Sequence, residues 1–340
     1  MTKNNKLEFI NFLYVIGALL VVLGHSTANY LGNWGAPNLL ESNSAIIVHD
    51  YIYTFHMPLF FAISGYVYKF NLDKGKYKDF IPFVSQKARR LLVPYIIIGL
   101  FYVSPIKLVL GDYTINNFLK SILINIGLAA GPSQLWYLFS LFNIFVIFYF
   151  LNKYFFSGNN KRRNHLIFLL IFVSFTTFIN TGLSVFQIEA TLNNLLFFHI
   201  GYLLCNFQSE HANVGIKTVM FLCLHLLTFI LSLYFVIPLL DFVLTLLGLT
   251  AYYYLAICAT KTFKNLNNHS SYTTLRKYNL EIYLYHQQLI QLLLLSKSFR
   301  LLPPWINIAI TFIFSIAISI TIGYIINNIK KINQKRVVVS

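Results

Sequence analysis

The stretch from Phe9 to Ser26 reads FINFLYVIGALLVVLGHS, and this run decides the fold. It is almost continuously apolar, and its length is close to the roughly 20 residues that a helix needs to cross a bilayer. Comparable runs recur along the chain and together predict ten transmembrane helices. The predicted spans are 9–26, 46–68, 91–110, 134–155, 166–178, 191–207, 214–235, 239–260, 279–295 and 305–326. The sequence therefore predicts an all-α integral membrane protein, a bundle of about ten transmembrane helices.

The composition excludes the other broad classes of protein. Hydrophobic residues make up 57% of the 340 residues and aromatic residues 17%, whereas only 11% are charged. About a quarter of the residues in a soluble domain are charged. Disordered chains have few apolar residues, the opposite of this composition. The formal net charge of +16 would suggest nucleic acid in a soluble protein. In so apolar a chain we interpret it as membrane orientation and expect no nucleic-acid partner.

Basic residues predict which side of the membrane each loop occupies. If the N-terminus is cytoplasmic, only four of the 26 basic residues lie outside: Lys107, Lys120, Lys297 and Arg300. Cytoplasmic loops are enriched in Lys and Arg, so both termini are predicted to be cytoplasmic, with tails at 1–8 and 329–340. The apolar stretch 115–130 is interpreted as re-entrant or interfacial, because a crossing there would move Arg162 and Arg163 outside.

The chain is expected to form one domain. It has no internal repeat, no flexible linker and no hydrophilic stretch long enough for a soluble domain, so residues 1–340 are predicted to be a single membrane domain. The three cysteines, Cys205, Cys223 and Cys258, lie in apolar runs without paired spacing, and no metal site is predicted. The richness in Lys, Asn, Ile and Tyr suggests an AT-rich bacterium and hence a bacterial plasma membrane.

Polar residues inside the predicted spans are the candidates for function. An ionisable side chain in the bilayer costs about 3 kcal/mol, so its retention needs a reason. Asn11, Tyr14 and His25 share one face of the first helix, since eleven residues complete three turns to within about 20°. The other polar residues in the spans are His49, Asp50, His56, His199, His225, Asp241, Glu281 and His286. Interhelical hydrogen bonds of about 1 kcal/mol each are the structural alternative, which we favour for His225.

Six segments resemble one known family. They are VVLGHS at 21–26, FHMPLFFAISGY at 55–66, RRLLVPY at 89–95, LWYL at 135–138, FFHIGYLL at 197–204 and EIYLYH at 281–286. In this order they resemble the landmarks of the acyltransferase-3 family of membrane acyltransferases, which includes fucose 4-O-acetylase-like proteins and polysaccharide O-acetyltransferases. The family usually has an Arg and an acidic residue where this chain has Tyr14 and Asn11. Its frequent SGNH-type extracytoplasmic domain is expected to have no counterpart here, so the protein is expected either to act alone or to pass its acyl group to a separate extracytoplasmic acyl acceptor protein.

The resemblance implies a reaction and roles for named residues. Such proteins move an acyl group, usually acetyl, from cytoplasmic acyl-CoA to a hydroxyl of a cell-envelope carbohydrate or lipid-linked sugar. His25 is then the expected base, since imidazole titrates near neutrality, with Asp50 or a backbone carbonyl fixing its tautomer. An acyl-imidazole on His25 is the covalent alternative. Tyr14, His56 or Tyr283 are expected to donate hydrogen bonds to the oxyanion.

Donor and acceptor each need a binding surface. Lys87, Arg89 and Arg90, at the mouth of the predicted third helix, are expected to bind the phosphates of CoA. Membrane orientation or binding of anionic lipid is the alternative role for these three cations. The candidates for the acceptor site are Asn11, Trp34, Glu281, Tyr283 and His286.

Two other classes of function compete with this interpretation. Polar stripes that converge in a helix bundle also describe a transporter or flippase for a polysaccharide or small solute. A transporter should show helices broken by Gly or Pro at paired positions, and Pro58 and Pro238 do not form such a pair. A scaffold without catalysis would leave the motif around His25 without a role.

Overall fold

The computed structural model describes residues 3–32, 40–179, 181–206, 213–263 and 265–339, and within these ranges it is helical, without a strand. The α-helices are α1 (Lys3–Ala28), α2 (Asn43–Tyr53), α3 (His56–Leu72), α4 (Phe80–Ile98), α5 (Ser104–Leu110), α6 (Phe118–Ile122), α7 (Trp136–Phe150), α8 (Lys161–Phe178), α9 (Ile188–Leu204), α10 (Val214–Ser232), α11 (Pro238–Thr262), α12 (Ser270–Lys277), α13 (Asn279–Leu293), α14 (Lys297–Arg300) and α15 (Pro304–Val339). Segments of π-helix follow α4, α6 and α7. The predicted tails 1–8 and 329–340 are largely part of α1 and α15.

Seven helical stretches of the described chain are long and apolar enough to cross a membrane. They are Glu8–Leu31, Asn43–Leu72, Phe80–Leu110, Ser133–Phe155, Val214–Ser232, Pro238–Thr262 and Pro304–Ile332. The predicted spans 166–178, 191–207 and 279–295 correspond to α8, α9 and α13, which are helical but lie outside this set. The all-helical membrane fold is thus confirmed. Ten crossings and cytoplasmic termini stay predictions.

The predicted span 46–68 is two helices rather than one. The chain turns at Thr54 and Phe55, between α2 and α3. Pro58 explains the break, because proline has no N–H to donate to the carbonyl of Thr54 and its ring clashes with that carbonyl. The break places His56 in the first turn of α3.

One further boundary differs from the sequence-based expectation. The third predicted span begins at Leu91, but α4 already begins at Phe80, so its basic residues lie within a helix rather than at its mouth. The stretch 115–130, predicted not to cross the membrane, consists of short helical turns and is not among the seven long apolar stretches. Side chains elsewhere satisfy its carbonyl groups, since Tyr95 donates to Ile126 O over 2.7 Å and Gln187 donates to Ala129 O over 2.6 Å.

The chain divides into two compact units, of which the first comprises Met1–His56 and Tyr252–Ser340. Within this unit α13 packs on α15, and α1 packs on α2, α13 and α15. Apolar residues at helical spacing form the contact, with Ala18 and Val22 of α1 against Ile282 and Ile290 of α13. A polar bond fixes their alignment, since Asn279 Nδ2 donates to Tyr14 O over 2.8 Å.

The second unit, Met57–Ala251, has an aromatic core. In it α4 packs on α7, α7 on α9, and α8 on α9. The largest rings of this core meet around Tyr68, whose ring centroid lies 5.7 Å from that of Phe198. Glycines allow α3 and α9 to touch, because a Cβ on Gly65 would overlap Phe198 O and one on Gly201 would overlap Ala62 O. Small residues at such crossings are typical of membrane helices.

Candidate active site

Five aromatic side chains of the first unit form a continuous group, which we term the ring cluster: His25, His49, Tyr53, His56 and His286. The ring centroids of His25 and His286 are 4.8 Å apart, with an interplanar angle of 87°. Tyr53 lies 3.8 Å from His49, 4.5 Å from His56 and 6.2 Å from His25. Helices α1, α2, α3 and α13 thus each contribute to one small volume.

Gly24 explains how α1 and α2 come close enough to form the ring cluster. A Cβ at this position would lie 3.0 Å from Tyr53 Cε2 and 3.3 Å from Ile52 Cγ2, tighter than ordinary van der Waals contact. Any larger residue would push Tyr53 away from the neighbouring His25. The glycine of the VVLGHS segment therefore sets the close packing beside its histidine.

Backbone carbonyls fix two of the four imidazoles. His56 Nδ1 lies 2.9 Å from Ile52 O, across the break between α2 and α3. His286 Nδ1 lies 2.9 Å from both Ile282 O and Tyr283 O. A carbonyl oxygen can only accept, so Nδ1 carries the proton in both rings. In the neutral imidazole this leaves the lone pair on Nε2, which is the nitrogen able to accept a proton.

A carboxylate fixes the third imidazole in the same tautomer. His49 Nδ1 lies 2.9 Å from Asp50 Oδ1, and the Asp50 side chain is 47% exposed. The structure thus brings Asp50 to His49, its neighbour in sequence. Asp50 therefore contacts the ring cluster through His49, and its carboxylate is not a buried charge.

Burial separates His25 from the other three histidines. His286 is 0% exposed, His56 2% and His49 6%, whereas His25 is only partly buried. The Nε2 atoms of His49 and His286 are buried and have no hydrogen-bond partner within the part of the chain that is described. A buried acceptor without a donor is costly, so each is a place where a hydroxyl group of a ligand would be stabilised. His25 is the most exposed imidazole of this set.

Several predicted site residues lie elsewhere in the first unit. Tyr14 is eleven residues, or about 16 Å of helix, before His25, and Asn11 is a turn further away. Tyr283 is buried on α13, with its ring 6.4 Å from that of His286. Glu281 packs near Gly323 of α15, whose added Cβ would lie 2.9 Å from Glu281 Cγ. Trp34 lies outside the described residues.

The three cations predicted to bind the donor belong to the second unit and differ in exposure. Lys87 is buried, whereas Arg89 and Arg90 are exposed. The Lys87 ammonium lies 3.7 Å from the ring centroid of Phe145 and 4.9 Å from that of Tyr77, a cation–π arrangement. It also donates to Tyr77 Oη over 3.4 Å. Burial raises the pKa of the Tyr77 phenol, with Arg90 opposing, so the phenol stays protonated and accepts this bond.

Tyr53 belongs to the ring cluster but was not among the residues predicted from the sequence. His49, Tyr53 and His56 follow one another at steps of four and three residues, the spacing that places side chains on one helical face. That signal was available in the sequence, and the break at Thr54 and Phe55 hardly disturbs it. Among the described residues, no group of three His, Cys, Asp or Glu side chains is placed to hold a metal ion.

The long apolar helices and the buried histidines identify this chain as a polytopic membrane protein with acid–base groups in its interior. The chain belongs to the acyltransferase-3 family, because the family model described as an acyltransferase domain matches residues 7–324. The resemblance stated from the sequence is therefore confirmed. No match was found to a curated protein or to a solved structure.

Proposed function

We propose that this protein is an integral membrane O-acyltransferase of the bacterial plasma membrane. It would move an acetyl or other short acyl group from cytoplasmic acyl-CoA to a hydroxyl of a cell-envelope carbohydrate or lipid-linked sugar. Family membership supports acyl transfer, and the ring cluster supports a hydroxyl acceptor. The observation that carries the proposal is the contact of His25 with His286 at 4.8 Å, next to a buried Nε2 acceptor.

In the proposed reaction His25 is the general base. An imidazole nitrogen of His25 takes the proton of the acceptor hydroxyl while that oxygen attacks the thioester carbonyl carbon. The new C–O bond forms, the C–S bond breaks, and the thiolate of CoA leaves. The imidazolium of His25 then returns its proton to the thiolate, so that the products are the ester and free CoA. In the covalent alternative His25 attacks the thioester itself and carries the acyl group to the hydroxyl.

The rest of the ring cluster would orient His25 and the acceptor. His286 packs its ring edge to face against His25, while its Nε2 can accept a hydrogen bond from a second acceptor hydroxyl. His56 is held by Ile52 O, with its ring 4.5 Å from that of Tyr53, and would form a wall of the site. Positioning of this kind lowers the activation barrier because the reacting groups need not be assembled from solution.

The test follows an acyl label in membranes that contain the protein. Membranes with wild type or with His25→Ala are given labelled acetyl-CoA, and both free CoA and label in the glycan and lipid-linked sugar fractions are measured. His225→Ala is the matched control, because His225 is a fully buried histidine of the second unit. We expect label with wild type and His225→Ala, and none with correctly inserted His25→Ala.

Other outcomes separate the alternatives. Label that stays on the protein after quenching would identify the covalent route through an acyl-imidazole. Equal label with wild type and His25→Ala would contradict His25 as the base. The absence of any transfer by inserted wild type would overturn the proposed function and favour a transporter.

A further inference from the structure

A groove of about 750 Å³ lies in the first unit, between α12, the following residue Tyr278 and the middle of α15. This volume is within the range of small-molecule sites, about 300–1,000 Å³. Polar and basic side chains line much of it, among them Thr273, Arg276, Lys277, Tyr278, Thr321 and Tyr324. None of these residues belongs to the ring cluster, and none was singled out from the sequence.

Two adjacent cations give the groove its charge. Within the described ranges no carboxylate forms an ion pair with Arg276 or Lys277. Arg276 is instead held by an amide, since its Nη1 donates to Asn267 Oδ1 over 2.7 Å, while Asn267 Nδ2 donates to Glu8 Oε1 over 3.1 Å. This bond takes one of the five N–H donors of the guanidinium. A fixed guanidinium beside an ammonium is a typical setting for phosphate groups.

Close packing holds the floor of the groove in place. A Cβ on Gly323 of α15 would lie 2.7 Å from Tyr278 Cδ1, so the glycine lets α15 rest directly on this ring. Tyr278 is buried, and the Lys277 ammonium lies 4.6 Å from its ring centroid. The positive charge is therefore carried at the junction of α12 and α13, which is itself fixed against α15.

The groove and the ring cluster lie along one helix. From the start of α13 at Asn279 to His286 is about 10 Å of helix axis. Asn279 is anchored to Tyr14 O of α1, the helix that carries His25. A ligand that places phosphates at Arg276 and Lys277 and a reactive group at His25 must therefore be long enough to extend along this helix. Acyl-CoA has this form, with its phosphates and its thioester at opposite ends of an extended arm.

From these observations we propose that the groove binds the phosphates at the nucleotide end of the acyl donor. The proposal rests on the proposed function, because it takes acyl-CoA as the donor. It assigns the donor site to Arg276 and Lys277 rather than to Lys87, Arg89 and Arg90. The predicted orientation agrees with it, because residues 261–278 are expected to face the cytoplasm, where acyl-CoA is found.

The experiment measures binding of labelled CoA, without an acyl group, to purified full-length protein in detergent. The variant is Arg276→Gln with Lys277→Gln. The control is Arg162→Gln with Arg163→Gln, an exposed adjacent pair in the second unit that removes the same charge. We expect the groove variant to bind CoA about tenfold or more weakly, as the loss of charge-assisted hydrogen bonds predicts, and the control to bind it like wild type.

A second ligand identifies which chemistry is bound. Dephospho-CoA lacks the 3′-phosphate, and the preference of wild type for CoA over this analogue is expected to shrink in the groove variant. The single variant Lys277→Gln changes one exposed side chain. It tests the proposal if the double variant does not fold. Unchanged CoA affinity in both variants would overturn the proposal. If the groove variants bind CoA normally but are no longer stabilised by phosphatidylglycerol, the groove binds a lipid headgroup. This result would also overturn the proposal.

Failure of this proposal is distinguishable from failure of the proposed function. Transfer by wild type with unchanged Michaelis constants for acetyl-CoA in the groove variants would reject the groove alone. Binding of CoA by wild type without any transfer would reject the function and leave the groove as a CoA site. Neither binding nor transfer by inserted wild type would reject both.

Discussion

Each unit of the protein has a pair of histidines in ring contact, and the two pairs are built differently. In the second unit His165 Nδ1 lies 2.9 Å from His199 Nε2, so the two imidazoles bond to each other. Phenylalanine rings enclose this pair, with Phe156 stacked 4.2 Å from His165 and Phe168 4.5 Å from His199. In the first unit His25 and His286 meet edge to face, and the Nδ1 atom of His286 is directed to its own helix.

The two pairs differ in which ring nitrogens are already bonded within the protein. When a neighbouring imidazole is the partner, as for His165 and His199, the bond joins α8 to α9 and occupies one nitrogen of each ring. When a local carbonyl is the partner, as for His56 and His286, the ring is oriented and the Nε2 atom is left for another molecule.

The largest expected effect is that of replacing His25. His25→Gln keeps a polar side chain of similar length but no base, so kcat for transfer should fall by about 10²- to 10⁴-fold. His199→Gln is the matched change in the other pair and should retain most of the wild-type kcat in folded protein. Labelled acetyl transfer per inserted molecule measures both. Similar losses in the two variants would mean that the pairs do not differ in role.

His286→Gln should have the next largest effect. Without the ring edge against it, His25 would lose its orientation, and a misplacement of about 1 Å can cost roughly 100-fold. We expect kcat to fall about 10- to 100-fold while binding of CoA is unchanged. Steady-state kinetics together with CoA binding separates these two quantities. A weaker affinity for CoA with normal kcat would show that His286 serves the donor instead.

In the second unit, removal of one histidine should affect stability rather than chemistry. His165→Ala leaves His199 Nε2 buried without its partner, which costs about 1–3 kcal/mol. The midpoint of thermal unfolding in detergent should fall, whereas His269→Ala, at an exposed position, should leave it nearly unchanged. An unaltered midpoint in His165→Ala would show that the bond between the imidazoles contributes little.

The smallest effect is expected for Asp50→Asn. The amide oxygen of Asn still accepts from His49 Nδ1, and the lost charge belongs to a side chain that is 47% exposed. Exposed ion pairs contribute about 1 kcal/mol or less, so kcat should fall by less than about fivefold. A loss as large as that of His25→Gln would instead make Asp50 part of the reacting group.

The sequence predicted the helices well because hydropathy along the chain reports burial in lipid directly. The predicted spans 214–235 and 239–260 correspond closely to α10 and α11. The break before His56 could also have been predicted, because Pro58 disrupts the helical hydrogen bond to Thr54 O and this effect is local in sequence. The first turns of α4, up to Arg90, contain both basic and apolar residues. A prediction based on hydropathy alone therefore placed the start of this helix too late.

The site was harder to predict because its contacts join distant parts of the chain. The sequence offered His25 and His286 as candidates on separate helices, but their contact depends on how α13 packs on α1. His199 was among the polar residues of the spans, yet its partner His165 precedes the predicted span 166–178 and lies in α8. Periodicity identifies the face of each helix, whereas the choice of partner depends on tertiary packing.

The central claim is that the imidazole of His25 is the base that deprotonates the acceptor. The most direct test is chemical rescue of His25→Ala by added imidazole, with release of CoA from acetyl-CoA measured in the presence of the acceptor fraction. We predict that imidazole restores transfer in His25→Ala in proportion to its unprotonated fraction and has no such effect on wild type. Full activity of His25→Ala without imidazole would contradict the account.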